Sequence, residues 1–394
     1  MSKFFNDIIT QLPIDQLIGR YYPFSEDELV FLQKRGYIFD EISLNQEINW
    51  TPELIDKVGK NLFWHLFSVN RSVPWEKIAS KFESSISWQD ISNNPTFVWN
   101  DVFLQNHINE IDWYWLSTNN IPFTDENLFR FREFWNWKQL SDNQYISWSE
   151  EILDRFAHRW DWAALSYNPN IPFTKELFEK YHDRWIYELM SMNSKLVSNE
   201  YLPLLESFTA LDYEMISHTK NDFTVKFLED HEDKLDWSCL SENENLPWSE
   251  GILDYFMHRW WFYEMSGNSK VPWSIEFIEK HKDEWNWDGK KFGNNGSPYS
   301  LSSNEGLPWS FDFIEKYEHK LEWGNIVVNI DEVYDDLFKG ITQIKKIKWT
   351  VENIAKYAHH FHDFFFLGNK NFYIAIESEI GKENIFPLYR AIGY

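Results

Sequence analysis

The sequence predicts an all-α solenoid whose units of about 25 residues each pair one helix with a shorter one, closed by atypical caps. Three observations lead there. A Trp-x-x-Leu-Ser-x-Asn string recurs at near-constant spacing, a helix-entry pattern lies between its copies, and each unit carries more aromatic side chains than one short helix can bury alone.

The repeat is first seen at Trp64-His65-Leu66-Phe67-Ser68-Val69-Asn70. It recurs as 88–94, 113–119, 137–143, 162–168, 187–193, 237–243 and 262–268, with a degenerate copy from Tyr213 to Thr219. The marker serines Ser68, Ser92, Ser117, Ser141, Ser166, Ser191, Ser217, Ser241 and Ser266 follow one another at 24, 25, 24, 25, 25, 26, 24 and 25 residues. The next marker, Ser302, comes after 36 residues, so about 11 residues are inserted within 288–298. A weak copy from Trp323 to Asn329 has Val327 in the serine's place.

Between markers stands an apolar residue, often Pro, then Trp or Phe, then Ser or Thr, as in Ile171-Pro172-Phe173-Thr174. The hydroxyl residue is an N-cap. Thr51, Thr124, Ser149, Thr174, Ser274, Ser310 and Thr350 each have an acid two positions on, suited to the positive end of the helix dipole. Apolar residues then fall at +3, +4, +7 and +11, as in Ile152, Leu153, Phe156 and Trp160, which predicts a helix of about 12 residues. The Trp-x-x-Leu-Ser-x-Asn piece has room for one or two turns, and its Asn is expected to close them as a left-handed C-cap. Residues 1–47, without the motif, are expected to cap the N-terminus; the repeats fill 48–327, with the insertion near 288–300. Residues 328–394 are expected to hold a last repeat and a C-terminal cap.

Composition narrows the function classes. The chain has 394 residues, with 37 Lys and Arg against 62 Asp and Glu, a net charge of −25, and 23 Trp, 19 Tyr and 33 Phe. That much aromatic material excludes a disordered chain, and the charge argues against direct contact with phosphate backbones or anionic lipid. No apolar run reaches the ~18 residues of a membrane span. Cys239 is the only cysteine and the first residues lack secretory-signal character, so the chain is expected to be cytoplasmic.

The Trp-x-x-Leu-Ser-x-Asn-x-x-Ile-Pro-Trp consensus over roughly residues 50–350 resembles the aromatic repeats found in proteins of giant viruses and of some bacteria. That resemblance implies stacked repeats and brings no known chemistry with it. The plan is also similar to the leucine-rich variant repeat, an α/3-10 solenoid, with Trp and Phe where that family uses Leu.

Nine serines in register point to one architectural task, closing the short helix and satisfying loop backbone, rather than to nine nucleophiles. The aligned asparagines are expected to form a hydrogen-bonded ladder. Of the histidines, His158, His258 and His319 share one repeat slot and His231 and His281 another; His359-His360-Phe361-His362-Asp363 is the cluster weighed for metal and read as a solvated helix end. Acid runs such as 229–233 read as a solvated face, and Cys239 as a small packed residue. Phosphate loops, dinucleotide fingerprints and zinc-protease motifs are absent, so no enzyme, cofactor or metal is expected. The candidate partner contacts are Lys290, Lys291, Asn294, Asn295 and Tyr299 in the insertion, with Lys345, Lys346 and Lys348 as a second basic patch. The function expected is a scaffold that binds a basic protein along an acidic and aromatic surface. The alternative is an acidic nucleic-acid mimic that inhibits a DNA- or RNA-binding protein.

Overall fold

The computed structural model describes residues 8–9, 11–198, 201–209, 211–219, 221, 223–289, 300–323, 344, 346–361, 367 and 369–392. The described residues form helices and turns without a strand, apart from one isolated bridge between Phe39 and Leu62. Two compact units emerge, 14–186 with 381–394, and 1–13 with 187–380. Both are helical solenoids.

The unit starting at Ser149 shows how the sequence writes the local structure. Ser149 has extended backbone, and its side chain accepts from the Ile152 N–H to open helix Glu150–Arg155. All seven hydroxyl residues singled out above cap a helix in this way. The helix is half the expected length, six residues instead of about 12. At Phe156 the backbone turns to φ −116° and ψ 20°, and Arg159 then donates to the Phe156 carbonyl three residues back. This tighter winding carries Trp160 into the core, where its ring lies 4.8 Å from Trp137 and 5.0 Å from Trp148.

Asp161 then caps the short helix Trp162–Tyr167. Asn168 ends it in extended conformation, φ −69° and ψ 115°, and every described non-glycine residue has negative φ. The expected left-handed cap is therefore replaced by one that lets the chain run straight into the next helix entry. Without a backbone inversion, the Asn168 N–H still donates to the Ala164 and Leu165 carbonyls and closes the helix.

Short helices stack on short helices. In the first unit Trp113–Thr118 packs on Trp137–Asp142, which packs on Trp162–Tyr167. Two side chains per repeat lock the stack. Ser141 donates to the Trp137 carbonyl at 2.7 Å and accepts from the Asp161 N–H of the following repeat at 2.9 Å. Asn168 Nδ2 donates to the carbonyls of Ser141 and Asn143 in the preceding repeat at 3.0 and 3.2 Å, and its Oδ1 accepts from the Asn170 N–H. The asparagine pattern runs through Asn70, Asn94, Asn119, Asn143 and Asn168 here and returns at Asn304 in the other unit. These buried groups satisfy loop carbonyls that stacking removes from water, so the ladder is side chain to backbone.

Tryptophan serves twice. The indole N–H of Trp50, Trp75 and Trp148 donates to the carbonyl of Asn45, Asn70 and Asn143, five residues back, while the ring fills the space between repeats. Leucine could supply only the second part.

The repeat begins earlier than expected. Within 1–47, Phe39 to Asn45 behaves as a copy: Ser43 donates to the Phe39 carbonyl and accepts from the Phe63 N–H, and Asn70 reaches the carbonyls of Ser43 and Asn45. Phe39 and Ile42 stand where Trp and Leu are usual, which hides the copy from a Trp-based search. The C-terminal helix Lys382–Ile392 belongs to this same unit and packs on helix Ile14–Tyr21. Phe386 lies among Tyr22, Phe24 and Phe31, Tyr389 meets Phe24 at 5.3 Å, and Arg390 sits 4.5 Å over the Phe31 ring.

In the other unit the insertion leaves the repeat register intact. Ser302 donates to the Trp287 carbonyl, 15 residues back instead of four, and Asn304 bonds to Ser266 and Asn268 as its counterparts do. The extra residues are therefore spliced between the leading Trp and the Leu-Ser-x-Asn end of one short helix. No helix among the described residues is long and apolar enough to cross a membrane.

Candidate interaction surface

Because the repeats stack in register, positions that vary between them are released from architecture. Counting from the aromatic residue that opens each short helix, the first, second and fifth positions after it vary widely. Counting the Phe39 copy, they hold Asp40, Glu41, Asp90, Asp142, Glu188, Glu214, Glu242 and Glu264, and among Lys and Arg only Lys138. Three exposed rings share these positions: Tyr114 and Trp115, whose rings are 5.2 Å apart, and Tyr167. Trp115 is 42% exposed and Tyr167 47%, far from what a repeat needs for packing.

Cations on or just after the helices that lie between the short ones pair with acids of the neighbouring repeat. Lys81 meets Asp56, Arg130 meets Asp101, Arg155 meets Asp125, and Lys180 meets both Glu150 and Asp154, each time linking one repeat to the one before. Lys180 and the Tyr181 hydroxyl together hold the Asp154 carboxyl below its ordinary range. Several basic side chains are thus tied to carboxylates of the preceding repeat, while the variable positions of the short helices hold eight acids against Lys138 alone.

The sequence candidates Lys290, Lys291, Asn294, Asn295 and Tyr299 lie outside the described residues, as do Lys345, His362 and Asp363. Lys346 and Lys348 are exposed beside the buried Trp349. His281 stacks on Phe262 at 4.1 Å, and His231 stands against Tyr213 and Phe227, where burial lowers its pKa. His360 stacks on Trp323 and bonds to Glu318 at 2.9 Å, with His359 at 4.0 Å from the same carboxylate. In the acid run, Glu232 is held by Arg259 at 2.7 Å and His258 at 3.0 Å. Two shallow grooves open at the same place in successive repeats, one of about 290 Å³ beside exposed Trp261 and one of about 520 Å³ between Lys282 and Lys320.

Sequence reasoning missed one cluster. Cys239 Sγ lies 3.2 Å from His218 Nδ1 and 3.4 Å from Asp236 Oδ2. Burial, then the Asp236 charge, pushes the thiol up to about 12. Asp236, by contrast, is lowered: burial alone would raise it, but hydrogen bonds from Ser238 and Cys239 prevail. The signal lay in the D-x-x-C spacing plus a His one repeat earlier, visible only when the copies are aligned.

Compared with known protein families, curated proteins and solved structures, the chain has no match.

Proposed function

We propose that this chain is a non-enzymatic scaffold in the cytoplasm that binds a basic protein along the exposed face of its short helices. The observation that carries this is the pairing of exposed rings with unbalanced carboxylates at the positions the repeat leaves free, Trp115 and Tyr167 alongside Asp90 and Asp142. Aromatic anchors supply contact area at low entropic cost, and the surrounding negative field selects and steers a cationic partner. The marker serines support the same reading, since hydroxyls such as that of Ser141 are buried and engaged as both donor and acceptor.

Affinity capture at low and at about 0.5 M salt tests it, because a field-driven contact is screened within a few ångströms at the higher value. Partners enriched in Lys and Arg, released by salt and lost with Trp115→Ala, are expected. Partners no more basic than background would defeat the reading. Displacement of a captured partner by duplex DNA would instead identify the surface as a nucleic-acid mimic.

A further inference from the structure

We infer that His218, Asp236 and Cys239 form a binding site for a thiophilic divalent cation, zinc above all. Three ligand types of different chemistry converge from two successive repeats: His218 ends the short helix Tyr213–Ser217, while Asp236 caps and Cys239 sits within the next, Trp237–Glu242. Their ligand atoms all lie within 4.8 Å of one another. In a tetrahedral zinc site, with bonds of about 2.3 Å to sulfur and about 2.0–2.1 Å to nitrogen or oxygen, neighbouring ligand atoms stand roughly 3.3–3.6 Å apart. The sulfur-to-nitrogen and sulfur-to-oxygen separations of 3.2 and 3.4 Å already approach that spacing.

The carboxylate is held for the task. Asp236 Oδ1 accepts from the backbone N–H groups of Ser238 and Cys239, which fixes the carboxylate and leaves Oδ2 aimed at the sulfur. The capping acids Asp112, Asp161 and Asp212 occupy the same place in other repeats, yet they are followed by Trp115, Ala164 and Met215 where Cys239 stands. The repeats before them offer Asn93, Asp142 and Met192 where His218 stands. Architecture therefore explains the acid but not the cysteine or the histidine. A thiolate and a carboxylate together balance the charge of a dication, and neutral imidazole completes a borderline-soft set that suits zinc over magnesium or calcium. Three protein ligands leave a fourth position for water.

The test is titration of the full chain, stripped with chelator, with Co2+ and Zn2+ in turn. One equivalent of Co2+ is expected to give tetrahedral visible bands and a sulfur-to-cobalt charge-transfer band. Cys239 is the only cysteine, so that band reports on this site alone. Zinc should bleach it and protect Cys239 from alkylation. Cys239→Ser should abolish the band, and His218→Ala and Asp236→Asn should each weaken binding on the order of tenfold or more. Asn is itself a good N-cap, so Asp236→Asn separates loss of a ligand from loss of the helix start. No charge-transfer band, or zinc affinity unchanged in Cys239→Ser, would overturn the inference. Metal held without the band would lie elsewhere, as at Glu318, His359 and His360.

Discussion

The Tyr37 hydroxyl donates to the Arg390 carbonyl at 3.1 Å, joining residues 353 positions apart. Tyr389 follows the same route, its ring edge-on to Phe24 and tilted against Tyr37 at 5.9 Å. The last helix thus completes the core of the first ones. Tyr389→Ala is expected to cost about 3–4 kcal/mol, the usual range for emptying a buried aromatic site. Denaturant unfolding checks it, and faster proteolysis of the 14–37 segment in the variant should accompany the loss. A midpoint equal to that of the parent would show that the contact carries no stability.

Asn168→Ala should destabilise by about 2–4 kcal/mol, because it leaves the Ser141 carbonyl and the Asn170 N–H without their buried partner and strips the Asn143 carbonyl of one of its two donors, the Trp148 indole remaining. Thermal melting reads this directly. Asn168→Asp tests the ladder from another side. It keeps the acceptor but loses both N–H donors, so it should melt no higher than the alanine variant.

Acid should weaken the charge ladder in a defined direction. Asp154 has its carboxyl lowered below 3.8 in the folded chain, first by Lys180 and then by Tyr181. A lowered folded value means that its contribution is complete above the ordinary pKa and fades as pH falls through the folded one. Comparing unfolding midpoints at about pH 5 and about pH 3, the parent should lose more than Asp154→Asn. Equal losses would show that the pairing adds nothing to the folded state.

Trp115→Ala and Tyr167→Ala should leave the melting temperature nearly unchanged, within about 0.5 kcal/mol of stability, since both rings are largely solvent-exposed. Partner capture should fall sharply, by about 2 kcal/mol or roughly thirtyfold for an anchoring ring. Leu165→Ala, at 0% exposure, is the opposite case and should cost about 2–5 kcal/mol through its cavity. A large stability change at Trp115 would mean that the ring is structural.

Much of this fold was legible because each repeat states its own local rules. Ser149 as N-cap, Leu153 and Phe156 as core and Ser166 as a closing hydroxyl follow from side-chain chemistry within a few residues. Helix length was not legible. The apolar spacing of Ile152, Leu153, Phe156 and Trp160 fits both a continuous helix and a six-residue helix followed by a tight turn, and only the packing of Trp160 between Trp137 and Trp148 selects the second. Phe39 to Asn45 escaped for a different reason: Phe performs the packing of Trp without its indole N–H, so function in the stack outlived the letter.

The amino-acid order alone determined the period, the helix entries and the buried face, because those depend on hydrophobicity and hydrogen-bonding capacity at short range. Tertiary structure decided what distant segments do to one another. Phe386 finding Tyr22, Phe24 and Phe31, and His218 finding Cys239, depend on where stacked backbones deliver side chains. Contact energy at such sites falls off within a few ångströms, so proximity in space creates chemistry that proximity in sequence does not announce.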